Sequence, residues 1–311
     1  MGSVILRRIL IAIPVVFGIT ILLFVTLRVL PGDPTEALLA EVPVTTEVRQ
    51  QLTEQLGLNQ PLLVQYWNFI WHALQGDLGR SFTTGQSVTD MITSQLPATI
   101  RLTIAGVILT AVFGIGFGVL AAAFRDTWVD STIRIFSLLG TGMPVFWTGS
   151  LLLLLFSFQF HIFPSTGNSG LSHLVLPAIA LGFLSAGLLT RLVRNSMVEL
   201  FGESFVLALH AKGLSPRVVT VRHVLRNALI PVVTVIGLQV GGLLSGAVIS
   251  EIVFSRQGLG RLLVTGINGQ DFPVVQGTVL VIALIYVGVN IVVDVSYAYI
   301  DPRVRTAIAR S

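Results

Sequence analysis

The chain has 311 residues, of which 53% are apolar and only 11% are charged. Because a soluble domain carries about 25% charged residues, this composition excludes ordinary soluble enzymes, disordered regulators and disulfide-rich secreted modules. The mean hydropathy of +0.85 indicates an integral membrane protein. The chain has no cysteine, which also excludes disulfides, iron–sulfur clusters and thiol catalysis.

Six apolar stretches are long enough to cross about 30 Å of hydrocarbon as helices. They run over residues 9–27, 102–124, 135–158, 174–190, 228–249 and 274–293. Strands are not expected, because an open sheet would leave backbone groups unpaired in lipid. The fourth stretch is the weakest of the six, since it is short and contains Pro177 and Gly182. The sequence therefore predicts an all-α membrane protein with six transmembrane helices.

The positions of the basic residues predict the orientation of these spans. With the N-terminus in the cytoplasm, thirteen of the nineteen arginine and lysine residues lie inside. The acidic residues are concentrated outside in the same arrangement. Both termini are therefore expected in the cytoplasm. The net charge of +4 and the pI of 10.1 follow mainly from this topology, so no nucleic-acid partner is expected.

Residues 31–97 form an outer segment that is too long for a simple connecting loop. The Thr-Thr-Glu sequence at 45–47 predicts the capped start of an amphipathic helix that ends at Gly57. After Pro61, an aromatic-rich stretch predicts a second helix that ends before Gly76. Two interpretations stay open for the second helix. It lies at the membrane interface, where tryptophan and tyrosine are favoured, or it forms a docking surface for an external partner.

Residues 195–227 form the inner segment between the fourth and fifth spans. A short helix with an apolar face is expected to end at Gly213, where the turn needs a positive φ. The Ser-Pro sequence at 215–216 predicts the start of a new helix. Two interpretations stay open here as well. The segment is a basic hairpin resting on anionic lipid, or it is a lever that acts on a cytoplasmic partner.

The sequence contains no recognisable catalytic or metal-binding motif. It has no phosphate-binding loop of the Walker A type, no His-Glu-x-x-His sequence and no Gly-x-Ser-x-Gly sequence. The five histidines are scattered at interfaces and in loops, so a metal site is not expected. These absences predict that the chain is not an enzyme and holds no cofactor of its own.

Few polar groups are predicted inside the spans. Asp294 is the one acidic residue expected within or beside a span, and an ion pair with Arg191 or Arg194 is the favoured interpretation. Ion-driven transport is disfavoured, because carriers of that kind place several ionisable residues inside their helices. Gln239 and Ser245 of the fifth span are predicted to face a protein interior or an aqueous translocation path rather than lipid.

Eight short motifs are distributed over nearly the whole chain. They are Leu-Pro-Gly-Asp-Pro at 30–34, Leu-Gly-Leu-Asn-Gln-Pro at 56–61, Gly-Asp-Leu-Gly-Arg-Ser-Phe at 76–82, Ala-Lys-Gly-Leu-Ser at 211–215, Arg-His-Val-Leu-Arg-Asn-Ala-Leu-Ile-Pro at 222–231, Val-Phe at 253–254, Gly-Leu-Gly-Arg-Leu at 258–262 and Asp-Pro-Arg-Val-Arg at 301–305. In combination they resemble the dipeptide/oligopeptide/nickel ABC importer permeases. The chain is most similar to the first of the two permease subunits, which has the long outer segment.

The resemblance implies partners that the composition does not show. A second homologous permease would complete the translocation pathway, two cytoplasmic ATPases would bind ATP and Mg²⁺, and an extracytoplasmic solute-binding protein would deliver a peptide. The chain would be a multi-pass protein of the bacterial inner membrane, with a type I importer fold. Its parts would be an N-terminal helix (1–30), the outer segment (31–97) and a five-helix core (98–311) that contains a coupling segment (199–227).

The resemblance also implies which residues meet the ATPases. The expected coupling residues are Glu203, Phe205, Ala208, Ala211, Lys212, Gly213, Leu214 and Ser215. The general importer pattern Glu-Ala-Ala-x-x-x-Gly is only partly present, because Leu207, Ala208 and Leu209 occupy the Glu-Ala-Ala positions. The fold implied by the family is unaffected, while the side chains that contact the ATPase are left open.

Two outer regions are predicted to receive the substrate or the binding protein. One contains Gly32, Asp33 and Pro34, for which a simple tight turn is the alternative; the other contains Arg256, Gly258 and Gly260 in the 251–272 loop. The alternatives to an importer subunit are an ion-coupled secondary carrier and a non-transporting membrane scaffold. Dipeptides, longer peptides, nickel and haem-like compounds all stay open as cargo.

Overall fold

The computed structural model describes residues 2–29 and 59–300, and these residues are almost entirely helical. The helices in chain order are α1 (Gly2–Val29), α2 (Leu62–Leu74), α3 (Val88–Ala123), α4 (Trp128–Gly142), α5 (Val145–Gln159), α6 (Ser172–Phe201), α7 (Ser204–Ala211), α8 (Pro216–Val253), α9 (Leu259–Asn268) and α10 (Phe272–Ile300). Within residues 59–300, extended pairing is limited to one isolated bridge between Arg80 and Ser87. The predicted all-α fold is confirmed.

Five of these helices are long and apolar enough to cross a membrane. If α4 and α5 together make one bent span, the described residues contain six spans. The five are α1, α3, α6, α8 and α10. They contain the predicted stretches 9–27, 174–190, 228–249 and 274–293, and all of 102–124 except its last residue. The second helix of the outer segment is also confirmed as α2, whereas the helix predicted over 45–57 lies outside the described residues.

The third predicted span, 135–158, is wrong as one continuous helix. The chain bends by 114° between α4 and α5. Met143 adopts an extended conformation with a ψ of 118°, and Pro144 follows it as the residue that precedes α5. A proline ring disfavours helical geometry at the residue before it, so the Met-Pro pair ends α4.

The fourth predicted span belongs to a well-buried helix rather than a weak one. In α6, 61% of the apolar window is buried, against 17% for the window in α1. The contact with α3 is close because glycines of α3 face larger side chains of α6. A Cβ built on Gly106, Gly114 or Gly118 would lie 2.8, 2.7 or 2.5 Å from Leu181, Leu189 or Val193. Small residues at such a surface allow two membrane helices to approach closely.

The chain divides into two compact units. One comprises residues 1–97 and 257–311, and its described core joins α3, α9 and α10 through Val88, Ile92, Leu259, Leu262 and Val274. The other comprises residues 98–256, with its largest apolar cluster where α6, α7 and α8 meet. The units divide after residue 97 and again after residue 256. The predicted three-part organisation of the chain stays a prediction.

Candidate functional site

The short helix α7 ends in a Schellman motif at Gly213. The backbone N–H of Gly213 donates to the carbonyl of His210 at 2.9 Å, and that of Leu214 donates to the carbonyl of Leu209 at 3.3 Å. Gly213 has a φ of +81°, which confirms the predicted positive φ. A Cβ at this position would meet no atom within 4 Å. The left-handed backbone, not crowding, is therefore the reason for glycine here.

The inner face of α7 is fixed to the neighbouring helices. Val206 is 4% exposed and belongs to an apolar cluster that contains Leu189, Val193 and Met197 of α6. Residues of α8 complete the cluster, among them Val224, which is fully buried. Phe205, Leu209 and Leu214 pack against the same cluster from its edge. Burial of these side chains therefore fixes α7 to the adjoining ends of α6 and α8.

The outer face of α7 is solvent-exposed and carries a leucine. Two of the predicted coupling residues, Phe205 and Leu214, are half-buried. The other six are exposed: Glu203, Ala208, Ala211, Lys212, Gly213 and Ser215. Leu207 is 74% exposed and was not among the predicted residues. Its position on the helix, opposite Val206 and Leu209, is the signal that could have identified it.

A buried ion pair joins α4 to α6 in the same unit. Arg194 donates from Nε to Asp130 Oδ1 at 2.7 Å and from Nη2 to Oδ2 at 2.6 Å. Asp130 is completely buried and also accepts the backbone N–H of Asp126 at 3.2 Å. Arg134 lies further away, 3.7 Å from Oδ1, and is half exposed. Two parallel charge-assisted hydrogen bonds of this kind fix both distance and orientation.

This pair corrects the prediction that Asp294 is the one acidic residue within or beside a span. Asp130 lies in α4, and Glu251 lies fully buried near the end of α8. Arg194 was expected as a possible partner of Asp294, and it binds Asp130. The side chain of Asp294 lies outside the described residues.

Arg256 is buried rather than presented at the surface. It is 4% exposed, and its Nη1 donates to the carbonyls of Gly167 at 3.2 Å and His173 at 2.6 Å. Burial lowers the pKa of the guanidinium, and the Glu251 carboxylate opposes this shift. Thr99 Oγ1 in turn donates to Glu251 Oε1 at 2.6 Å. Arg256 therefore holds the loop before α6 in place.

The other predicted outer residues lie as follows. Gly258 is the buried residue that precedes α9, and Gly260 is buried in its first turn. Gly32, Asp33 and Pro34 lie outside the described residues. Their role toward a binding protein stays a prediction.

Asp271 is a buried acceptor for the loop at 81–84. Its carboxylate accepts from Ser81 Oγ at 2.5 Å, from Thr83 Oγ1 at 2.9 Å, and from the backbone N–H groups of Phe82 at 3.0 Å and Thr83 at 3.2 Å. Asp271 is 2% exposed. This arrangement gives a structural role to the Gly-Asp-Leu-Gly-Arg-Ser-Phe motif, since it ends at the bound loop.

The two residues predicted for the translocation path differ in their surroundings. Both polar side-chain atoms of Gln239 are buried without a hydrogen-bond partner among the described residues. Ser245 is exposed, and its Oγ lies 3.5 Å from the carbonyl of Gly241. An unsatisfied buried amide is costly unless a further group completes its hydrogen bonds, so Gln239 is the stronger candidate for a contact with a partner or cargo.

A separate apolar cleft of about 490 Å³ lies between α3, α4 and α6. Its walls include Phe113, Phe117, Phe136 and Phe183, and none of its lining residues is charged. It therefore offers no counter-charge to the termini of a peptide.

Two family descriptions together cover nearly all of the chain. "Binding-protein-dependent transport system inner membrane component" matches residues 114–306, and its N-terminal counterpart matches residues 1–103. The di/tripeptide transport system permease protein DppB of Pseudomonas aeruginosa is 39% identical over 98% of this chain and 99% of its own length. The glutathione transport system permease protein GsiC of Escherichia coli K12 is 38% identical with the same coverage.

A solved structure shares the fold at lower identity. It is an inward-facing conformation of the MetNI methionine ABC transporter, with 17% identity and a TM-score of 0.57. The match covers 68% of this chain and 96% of the other.

Proposed function

The chain belongs to the family of binding-protein-dependent transport system inner membrane components, and on that premise we propose that it is one of two permeases in an ATP-driven importer of short peptides. The cargo is proposed from the relatives, whose names state di- and tripeptides and glutathione, itself a tripeptide. The protein is a multi-pass component of the bacterial inner membrane.

The observation that carries this proposal is the geometry of α7. Its outer face presents Leu207 at 74% exposure, while its inner face is fixed by Val206 to α6 and α8. A solvated helix gains nothing from an exposed leucine, whereas a protein partner buries it favourably. We assign this face to the cleft of a cytoplasmic ATPase, with both termini of the permease in the cytoplasm.

The proposed mechanism transmits movement through packed elements. Closure of the ATPases on ATP displaces α7, and the apolar cluster passes the displacement to α6 and α8. The Asp130–Arg194 pair extends the coupling from α6 to α4. These helices then rock against the second permease and alternate access to the pathway. ATP and Mg²⁺ are bound by the ATPases, and this chain contributes no catalytic residue.

Reconstitution of the complete system tests the proposal. The chain, a second permease, two ATPases and a solute-binding protein are placed in proteoliposomes, and uptake of labelled di- and tripeptides is measured. We expect ATP-dependent uptake that stops when any one component is omitted. Uptake by the chain alone under an ion gradient would instead support a secondary carrier, and absence of transport with every partner present would support a scaffold.

A charge on the outer face of α7 should release the ATPase. We expect Leu207→Asp to abolish co-purification of the ATPases, because an aspartate would be desolvated in their cleft. The matched control is Leu171→Asp, which changes a leucine that is 80% exposed in the loop before α6. The control should retain the ATPases. Equal retention by both variants would contradict the assignment of α7.

A further inference from the structure

The helix α2 of the outer segment presents an apolar, uncharged face to its surroundings. Leu63, Trp67, Trp71 and Leu74 are 83%, 61%, 55% and 77% exposed, and their spacing places them on one side of the helix. Its sequence, LLVQYWNFIWHAL, contains no lysine, arginine, aspartate or glutamate, and no residue of the helix is buried. An apolar face of this size in contact with water would favour aggregation.

The position of α2 is set by its contact with α1. The Tyr66 hydroxyl lies 2.9 Å from Thr20 Oγ1, and the Tyr66 ring packs edge-on against Phe17 and Phe24 with centroid distances of 5.9 and 5.4 Å. Thr20 lies within the apolar window Leu10–Leu27 of α1. At 1.5 Å per residue it is about 10 Å from Leu27, the end of that window. Tyr66 therefore contacts α1 within its apolar window rather than at the end of that window.

Gln65, Asn68 and His72 of α2 each form a side-chain hydrogen bond within the segment. Gln65 Nε2 donates to the carbonyl of Gln60 at 2.7 Å, and Asn68 Nδ2 donates to Gln60 Oε1 at 3.3 Å. His72 Nδ1 lies 2.7 Å from the carbonyl of Asn68. Internal pairing of this kind is what a hydrocarbon environment demands, because lipid tails offer no hydrogen-bond partner. The Tyr66 hydroxyl likewise forms its hydrogen bond within the protein, with Thr20.

We propose that α2 is embedded in the bilayer, in the leaflet that contains the C-terminal end of α1, with Leu63, Trp67, Trp71 and Leu74 against lipid acyl chains. Its 13 residues are too few to cross the membrane, so it lies within one leaflet. The occupant is lipid because Tyr66 holds α2 against a span, α1, on which Ile13, Phe17 and Ile21 are exposed apolar residues. The helix is then a membrane anchor for the outer segment, independent of the cargo and of the ATPases.

Spin labels test the surroundings of α2 in the assembled transporter in proteoliposomes. Since the chain has no cysteine, Leu63→Cys and Leu74→Cys each give one labelling site, and Gln86→Cys on the exposed loop is the matched aqueous control. Molecular oxygen concentrates in lipid, and a charged nickel chelate stays in water. We expect oxygen to relax the labels at 63 and 74 several-fold more than the chelate does, with the reverse order at 86.

Two other outcomes would overturn the proposal. Relaxation of the labels at 63 and 74 by the nickel chelate, as at 86, would make the face a water-exposed docking surface. Protection from both reagents would place the face against protein, for instance the solute-binding protein.

Tryptophan quenching gives a second measurement without labels. A variant with Trp128→Phe and Trp147→Phe retains only Trp67 and Trp71 of the four tryptophans. Lipids brominated in the middle of their acyl chains should quench this emission several-fold more strongly than aqueous acrylamide. Stronger quenching by acrylamide would contradict embedding in the bilayer.

Discussion

Gly213 ends α7 in a left-handed conformation that other residues adopt only at a cost. Gly213→Val should strain the turn by about 1–2 kcal/mol, since a β-branched side chain disfavours a positive φ. We expect this variant to insert normally and to lose coupling between ATP hydrolysis and uptake in proteoliposomes. Gly213→Asn is the matched control, because asparagine tolerates the left-handed region and the space around a Cβ is open.

Retained coupling in Gly213→Asn together with its loss in Gly213→Val would assign the effect to the backbone. Full uptake in Gly213→Val would contradict the role of α7 as the coupling element.

At the same scale, the sequence predicts Gly213 well and the buried acids poorly. The turn at Gly213 is predictable because its signals are local. The short helix before it and the Ser-Pro pair that starts the next helix both lie within a few residues of it. Arg194, the closest charged partner of Asp130, lies 64 residues away along the chain, and Ser81 lies 190 residues from Asp271. A single sequence carries no sign of such distant pairing.

At the scale of the helical element, the pair between α4 and α6 is open to direct measurement. Asp130→Asn leaves Arg194 partly buried without its counter-charge, which costs about 3–5 kcal/mol. We expect a clear fall in the midpoint of thermal unfolding in detergent, and a similar fall for Arg194→Gln. Arg134→Gln is the control, since Arg134 is half exposed and 3.7 Å from Asp130, so its loss should have little effect. Equal effects of all three variants would contradict the assigned pairing.

The close contact between α3 and α6 gives a second prediction at the scale of the helix, on the stability of their packing. Gly118→Ala introduces a Cβ 2.5 Å from Val193 and 2.9 Å from the carbonyl oxygen of Thr190, so the helices must separate. Overpacking of this kind costs about 1–3 kcal/mol.

Gly116→Ala, two residues away on the same helix, meets no atom within 4 Å and should be neutral or slightly stabilising. The two variants are compared by thermal unfolding in detergent. A loss of stability in Gly116→Ala that matches that of Gly118→Ala would show that helix packing is not the cause.

For the whole molecule, hydropathy is sufficient to locate the spans. In lipid a spanning segment must satisfy its own backbone hydrogen bonds, so it forms a long apolar helix. Hydropathy does not reveal the bend between α4 and α5, since a Met-Pro pair inside an apolar run is compatible with either a kinked or a broken helix. It likewise does not show that residues 257–311 group with 1–97, because that depends on contacts made by the complete chain. Phe205, Ala208 and Ala211 lie on the short helix that the sequence predicts, and the burial of Val206 shows that the face with Leu207 points outward.

The loop bound by Asp271 also has a consequence for the order of assembly. Ser81 and Asp271 are separated by 190 residues, so the carboxylate that accepts four donors leaves the ribosome long after the loop does. Until then, the hydroxyls of Ser81 and Thr83 and the N–H groups of Phe82 and Thr83 lack this acceptor, and water must satisfy them. Contacts between distant parts of a chain form late in folding. The contacts of this loop are therefore completed only after Asp271 has been synthesised, and a truncated chain that ends before Asp271 leaves the loop unfixed.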